Sequence, residues 1–131
     1  MKLNITSQYA IRLMTYLAQK NQVVHSSKEI SQILDIPYKS LARIITQLVA
    51  KNLITSSRGR EGGIKIERPS HKIKLIEILE AVKEEILDTS CMLGLGECNV
   101  IEKCCLHDQW EYPKLTMLRM FQETTLKDMI Q

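Results

Sequence analysis

Four cysteines within fifteen residues restrict the fold of this chain more than any other feature of its sequence. Six residues lie between Cys91 and Cys98 and five between Cys98 and Cys104. Two more residues separate Cys104 from His107. The segment contains glycine and can bend, so these soft donors can gather round one metal centre. The sequence therefore predicts that residues 91–109 form a metal-binding loop.

The composition indicates a compartment in which these cysteines have a chemical role. Of the 131 residues, 44% are hydrophobic and 25% are charged, as in an ordinary single soluble domain. No apolar run approaches the roughly 18 residues needed to span a bilayer, and the amino terminus lacks the apolar core of a signal peptide. We therefore expect a cytoplasmic protein without membrane contact, where structural disulfides are disfavoured.

Three uses of the cysteines remain open on chemistry alone: an iron-sulfur cluster, a structural zinc site, or reactive thiols without metal. Structural zinc sites usually pair ligands about two to four residues apart, so the wider spacing here favours the cluster. Cys105 follows Cys104 directly, and adjacent residues rarely direct both side chains at one centre. We expect that Cys105 does not bind the metal, and it is the alternative to the four predicted ligands.

Three helices are predicted in the first 52 residues, because apolar residues recur at three- and four-residue spacing. The predicted buried faces are Ala10, Leu13, Met14 and Leu17 in the first helix, Ile30, Ile33 and Leu34 in the second, and Leu41, Ile44, Ile45 and Leu48 in the third. The first runs to about Lys20, the second starts at a capping box formed by Ser26 and Glu29, and the third starts at Pro37. A tight break at residues 35–36 makes the last two a helix-turn-helix. The outer face of the third helix carries the predicted DNA-binding residues, which are Tyr38, Lys39, Ser40, Arg43 and Gln47.

A β-wing is predicted directly after these helices. Residues 53–57 and 64–67 favour strands, and the glycines between them permit a hairpin turn. Arg58 and Arg60 lie in that turn, where they can enter a minor groove. Residues 1–70 carry eleven basic and four acidic side chains, a net charge of +7, whereas residues 71–131 carry seven and eleven, a net charge of −4. The basic half is therefore the expected contact with double-stranded DNA.

The carboxyl-terminal half is expected to contain the metal-binding loop and a helix that forms a dimer interface. Residues 71–90 favour a connecting helix whose acids Glu77, Glu80 and Glu84 form a solvated face. Residues 110–131 favour a long dimerisation helix followed by a carboxyl-terminal tail. The helix is expected to start near Trp110, with Pro113 in its first turn and the first helix packed on it. Its bulky apolar residues indicate a homodimer interface. They are Trp110, Leu115, Leu118 and Phe121.

These segments together resemble the IscR/NsrR family of winged-helix regulators. The similar parts are MKLNITSQYAIRLMTYLA, IPYKSLARIITQLVAKNLI, SSRGREGG and the Cys-x5-Cys-x2-His motif before a tryptophan, and they cover nearly the whole chain. The resemblance implies a mainly α fold with a small β-wing, and a dimeric transcription regulator that acts as a repressor. It also implies a cluster, [2Fe-2S] or alternatively [4Fe-4S], whose loss, oxidation or nitrosylation changes promoter affinity.

The resemblance also implies a ligand set, closest to that of the IscR branch: Cys91, Cys98, Cys104 and His107. In NsrR-like relatives the other subunit contributes an acidic residue near the start of its first helix, where this chain has Gln8, a poor iron ligand. Three features depart from the family: six residues instead of five after Cys91, the extra Cys105, and Arg-Glu in the wing.

The sequence therefore predicts a regulator that binds a roughly palindromic operator under control of a cluster that senses iron, redox or nitric oxide status. The alternatives are a metal-free thiol or protein-interaction regulator of sulfur metabolism, and a regulator with structural zinc. Patterns typical of an enzyme, such as a phosphate-binding glycine loop or a Ser-His-Asp spacing, are not evident.

Overall fold

The computed structural model describes residues 2–21, 23–88, 90–98 and 101–130. In this part of the chain the protein is mainly helical with one two-stranded antiparallel sheet, which confirms the predicted fold class. None of the helices described is long and apolar enough to cross a bilayer. The elements are α1 (Ile5–Gln19), α2 (Ser27–Leu34), α3 (Tyr38–Ala50), β1 (Ile54–Ser57), β2 (Gly63–Ile66), α4 (Leu75–Ala81), α5 (His107–Glu123) and α6 (Leu126–Met129).

Local side-chain chemistry fixes the start of α1 and both ends of α2. The Asn4 side chain accepts a hydrogen bond from the Ser7 N–H at 2.8 Å, and Ser26 accepts one from the Glu29 N–H at 3.3 Å. Asp35 ends α2 with a φ of +52°, in the left-handed region that short polar residues tolerate. The tight turn of the helix-turn-helix is therefore formed where the sequence predicts it.

The core is built round α1, which packs against α2, α3, α4, α6 and β2. All four apolar positions predicted for the buried face of α1, and all four for α3, are buried. The prediction fails at Ile33, which is 59% exposed, because only Ile30 of α2 turns fully into the core. A helix of two turns presents a narrow face, so Ile30 is fully buried and Leu34 packs against the core while partly exposed.

The wing is tied to the body of the domain through its base. Ile54 pairs with Ile66 across the hairpin, and His25 pairs with Ile64, so the chain before α2 adds to the sheet. Gly63 has a φ of +151°, and a Cβ there would lie 2.3 Å from the His25 carbonyl oxygen. Glycine is required at this position because no side chain fits between the two backbones. His25 is half-buried against Tyr16, not a free surface residue.

The carboxyl-terminal elements differ from the prediction in several places: α4 covers only Leu75–Ala81 of the predicted residues 71–90, and α5 ends at Glu123. Helix α5 begins at His107, three residues before Trp110, so that Pro113 lies in its second turn and not in its first. The acidic Asp108 in the first turn favours this earlier start, because a negative charge stabilises a helix amino terminus. Glu84, expected on a solvated face, lies beyond the end of α4 and is only 6% exposed.

Glu77 joins the wing to α4. One carboxylate oxygen accepts from Arg68 at 2.8 Å and the other accepts from the Lys74 N–H at 2.9 Å. Burial raises the pKa of Glu77, but the Lys74 N–H and the Arg68 guanidinium together bring it below the ordinary value of 4.5. The folded state is therefore stabilised by this carboxylate above pH 4.5, and that stabilisation is lost as the pH falls through the lowered pKa.

We expect Glu77→Gln to lower the free energy of unfolding at pH 7 by about 0.5–1 kcal/mol, since solvent screening weakens a partly exposed pair. The difference from the native protein should vanish as the pH falls well below 4.5. Urea unfolding at several pH values measures it. Glu80→Gln, an exposed acid on the same helix, is the control. A deficit that is the same at all pH values would contradict the ion-pair explanation.

Candidate functional site: a DNA-reading surface and a thiol loop

The outer face of α3 presents donors to solvent. Lys39 and Arg43 are exposed and lie one helical turn apart, so they share a face. Tyr38, at the first position of α3, is 57% exposed. Ser40 and Gln47 are half-buried, and the Gln47 side-chain oxygen has no hydrogen-bond partner among the described residues. Four of the five predicted residues thus offer a donor to a ligand, while the Gln47 oxygen faces inward.

The wing extends the same surface. Arg58 and Arg60 are both exposed in the turn between β1 and β2, and β1 packs directly against α3. This contact holds the wing beside α3. Glu61 is exposed in the same turn and adds a negative charge that a phosphate would avoid.

The thiol loop, which is the predicted metal-binding segment of residues 91–109, brings the predicted metal ligands together in two pairs. The sulfur atoms of Cys91 and Cys104 lie 3.7 Å apart, and the Cys98 sulfur lies 3.4 Å from Nδ1 of His107. No disulfide joins any of the four cysteines. Cys91 and His107 are each 8% exposed, whereas Cys105 is fully at the surface. The structure therefore separates Cys105 from the four side chains that pair.

Backbone hydrogen bonds shape the loop round these pairs. The Cys91 N–H donates to the Gly96 carbonyl at 2.7 Å, and the Gly94 N–H donates back to the Cys91 carbonyl at 2.8 Å. Gly94 and Gly96 have φ values of +72° and +111°, which the reversal of the chain requires. On the other side, the His107 N–H donates to the Cys104 carbonyl at 3.1 Å. This last hydrogen bond holds His107, which pairs with Cys98, beside Cys104, which pairs with Cys91.

The surroundings of Cys91 favour its anionic form. Hydrogen bonds from the Leu93 and Leu95 N–H groups, and then the Cys104 thiol, lower the pKa of Cys91. The thiolate is both the nucleophile and the metal ligand. Cys91 is thus prepared either to bind a metal or to react.

The donor set fits a metal only in part. Among the described residues, no three His, Cys, Asp or Glu side chains are arranged round a single ion. Two thiolates on one tetrahedral ion, at bond lengths of about 2.3 Å, would lie about 3.8 Å apart, close to the 3.7 Å of Cys91 and Cys104. Each pair therefore has the spacing of two ligands on one ion, but the two pairs do not share that ion.

The Gln8 side-chain amide donates to the Leu3 carbonyl at 2.8 Å. Glu84 was not predicted to be buried, but its carboxylate accepts a hydrogen bond from the Asn4 N–H at 3.0 Å. A glutamate that follows a run of acids on a predicted helix has the pattern of a solvated residue. Its burial depends on the end of α4, which the sequence pattern does not mark.

Helix α5 carries the four residues predicted for a dimer contact. Leu115 is 57% exposed, and Trp110 and Leu118 are half-buried. Phe121 is 6% exposed and is already covered by its own chain. Tyr112 and Met120, at 77% and 55% exposed, widen the apolar surface beyond the predicted set.

A helix-turn-helix with a basic wing, joined to a helix that begins at a thiol loop, defines a winged-helix transcriptional regulator. The chain belongs to the Rrf2 family, described as iron-dependent transcriptional regulators, whose model matches residues 3–131. The members of this family are regulators and not enzymes.

Individual relatives agree with this assignment. The HTH-type transcriptional regulator NsrR of Oceanobacillus iheyensis is 25% identical and covers 100% of this chain and 90% of its own length. The fold is similar to that of CymR, the global cysteine regulator of B. subtilis, with a TM-score of 0.81, 21% identity, and coverage of 99% and 96% of the two chains. It is also similar to that of T. potens IscR, with a TM-score of 0.75, 24% identity, and coverage of 99% and 86%.

Proposed function

We propose that this protein binds operator DNA with an affinity set by an iron-sulfur cluster held by Cys91, Cys98, Cys104 and His107. The observation that carries the proposal is the arrangement of these ligands in two close pairs. Three thiols and an imidazole are donors that iron-sulfur centres use. When bound, such a centre supplies a redox-sensitive and nitric-oxide-sensitive group whose loss frees the four side chains.

The pairing favours a [2Fe-2S] centre over the alternatives. In a [2Fe-2S] centre each of the two irons takes two protein ligands, and histidine can replace cysteine. Cys91 with Cys104 would serve one iron, and Cys98 with His107 would serve the other. A structural zinc ion needs all four ligands in one tetrahedron, and the two pairs do not supply that. A [4Fe-4S] centre is the second choice, since it distributes its ligands over four irons.

The DNA-bound form is proposed to be a homodimer in the cytoplasm. The exposed apolar surface of α5 includes Tyr112, Leu115 and Met120, which a second copy of the same helix would cover. A two-fold dimer places one α3 in each half-site of a roughly palindromic operator, about 34–36 Å apart. Lys39, Ser40 and Arg43 would face the major groove, and Arg58 and Arg60 would reach the flanking minor groove.

Anaerobic reconstitution tests the proposal. Protein loaded with iron and sulfide should show visible absorption and about two irons and two sulfides per chain. Its operator affinity should differ from that of the metal-free protein by about 5- to 150-fold. Equal affinity of the two forms would overturn the switch, and zinc without sulfide in the purified protein would favour a structural site.

A metal-free thiol switch is the second candidate, because Cys91 has a lowered pKa and lies 3.7 Å from Cys104. Exchange with an external disulfide would join these two sulfurs, with the external disulfide reduced to two thiols. Such a regulator would sense sulfur status, either by itself or through a bound metabolic enzyme. Cys98→Ala separates the candidates: it removes a cluster ligand but leaves the Cys91 and Cys104 thiols, so only the thiol switch would retain regulation.

A further inference from the structure

Glu84 is a buried acid whose partners are backbone groups. It is 6% exposed, and its carboxylate accepts from the Asn4 N–H at 3.0 Å and from the Ile86 N–H at 3.4 Å. Both ion pairs found among the described residues lie elsewhere. A buried carboxylate is unfavourable unless hydrogen bonds stabilise it. Its two partners therefore hold Glu84 in a defined place between the start of α1 and the segment that follows α4.

The bond to Asn4 places a negative charge at the amino terminus of α1. Asn4 is the residue that caps this 15-residue helix. A carboxylate at that end interacts favourably with the helix dipole and with N–H groups that have no partner inside the helix. Helix α1 packs directly against α3, which carries Lys39 and Arg43. Glu84 thus contacts the start of a helix that packs directly against α3.

The backbone of Glu84 connects it to the thiol loop. Its N–H donates to the Leu79 carbonyl at 3.0 Å, and its carbonyl accepts from the Leu87 N–H at 3.1 Å. The short 3₁₀ turn Glu85–Leu87 follows directly. Residues of this turn line a pocket of about 290 Å³ together with Cys91 and Trp110. Cys91 and the turn that follows Glu84 therefore border the same pocket.

The far end of the same segment is tied to α5. The Lys114 ammonium donates to the Asp88 carbonyl at 3.2 Å. Residues 84–88 thus form hydrogen bonds with the start of α1, the end of α4 and the middle of α5. They also line the pocket that Cys91 borders.

We propose that Glu84 is a positioning residue that transmits the ligation state of the thiol loop to α1, and through α1 to α3. This inference rests on the proposed function, since it assigns a route to the same switch. Ligation of Cys91 holds the Glu85–Leu87 turn in one position, and the Glu84 carboxylate then holds Asn4. Release of Cys91 lets the turn move, and the start of α1 moves with it.

Glu84→Gln tests the route, because glutamine has a similar shape but carries no charge for the Asn4 N–H and the helix dipole. Glu80→Gln is the matched control: it removes the same charge from an exposed residue four positions earlier. Both variants should take up iron and sulfide as the native protein does. The ratio of operator affinities between loaded and metal-free protein should fall below about threefold in Glu84→Gln and stay at the native value in Glu80→Gln.

A second pair of variants tests the same bond from the other side. Asn4 has a φ of −63°, which proline can adopt, so Asn4→Pro deletes the N–H that Glu84 binds. Asn4→Ala removes only the capping side chain and keeps that N–H. The affinity ratio should fall in Asn4→Pro by more than in Asn4→Ala. In metal-free protein, hydrogen exchange of the first-turn amides of α1 should be about fivefold faster in Glu84→Gln than in Glu80→Gln.

The outcomes separate this inference from the proposed function. If native protein shows no change of operator affinity on loading, the proposed function fails and the inference fails with it. If native protein switches and both Glu84→Gln and Asn4→Pro keep the native ratio, only the inference is overturned. A reduced ratio with normal iron content and unchanged thermal stability supports it, because a merely structural residue would lower stability without removing the ratio.

Discussion

Replacement of Cys104 by alanine is expected to abolish cluster binding, whereas replacement of the adjacent Cys105 leaves it intact. The Cys104 sulfur lies 3.7 Å from that of Cys91, and the Cys104 carbonyl accepts from His107, so this residue touches both ligand pairs. Cys105 is exposed. Iron, sulfide and visible absorption, measured on protein purified without oxygen, should be at background in Cys104→Ala and native in Cys105→Ala.

The two adjacent thiols make this comparison sharp, because the variants delete the same atom from neighbouring residues. The folded core does not include Cys104, so both variants should unfold at the native temperature when metal-free. If Cys104→Ala retains iron and sulfide and Cys105→Ala loses them, Cys105 is the ligand and the assignment is wrong. Retention in both variants would contradict a cluster held by this loop.

The DNA-reading part of the fold could be predicted because its elements depend on neighbours in the chain. In α1 and α3, every position predicted to be buried is buried, and the Ser26 side chain caps α2 by accepting from the Glu29 N–H. The wing strands begin and end within one residue of their predicted bounds. Caps, turns and apolar periodicity are local signals, and in this region they agree with the tertiary structure.

The part of the site that could not be predicted depends on contacts between distant residues. The sequence spacing groups Cys91, Cys98, Cys104 and His107, but it does not say that Cys91 pairs with Cys104 and Cys98 with His107. Those pairings follow from the reversal at Gly94 and Gly96 and from the earlier start of α5. The burial of Glu84 likewise depends on a bond to a residue 80 positions away.

Arg43→Ala is expected to weaken operator binding while leaving the cluster intact. Arg43 is exposed on the outer face of α3, where a guanidinium can bond to the major-groove edge of guanine with two hydrogen bonds. Loss of such a contact should cost about 1–3 kcal/mol, or roughly 5- to 150-fold in affinity, and relax the preference at one base pair. Fluorescence anisotropy with the operator and single-base variants measures both.

Lys39→Ala and Lys127→Ala show what kind of contact Arg43 makes. Lys127 is exposed on α6 and is not among the predicted DNA-binding residues, so its loss should leave affinity unchanged. If Lys39 contacts a phosphate, its loss should weaken binding to all sequences and reduce the salt slope by about one. Arg43→Ala should instead keep the salt slope and lose base preference. If Arg43→Ala behaves like Lys127→Ala, α3 does not enter the groove by this face, and the wing arginines become the main contact.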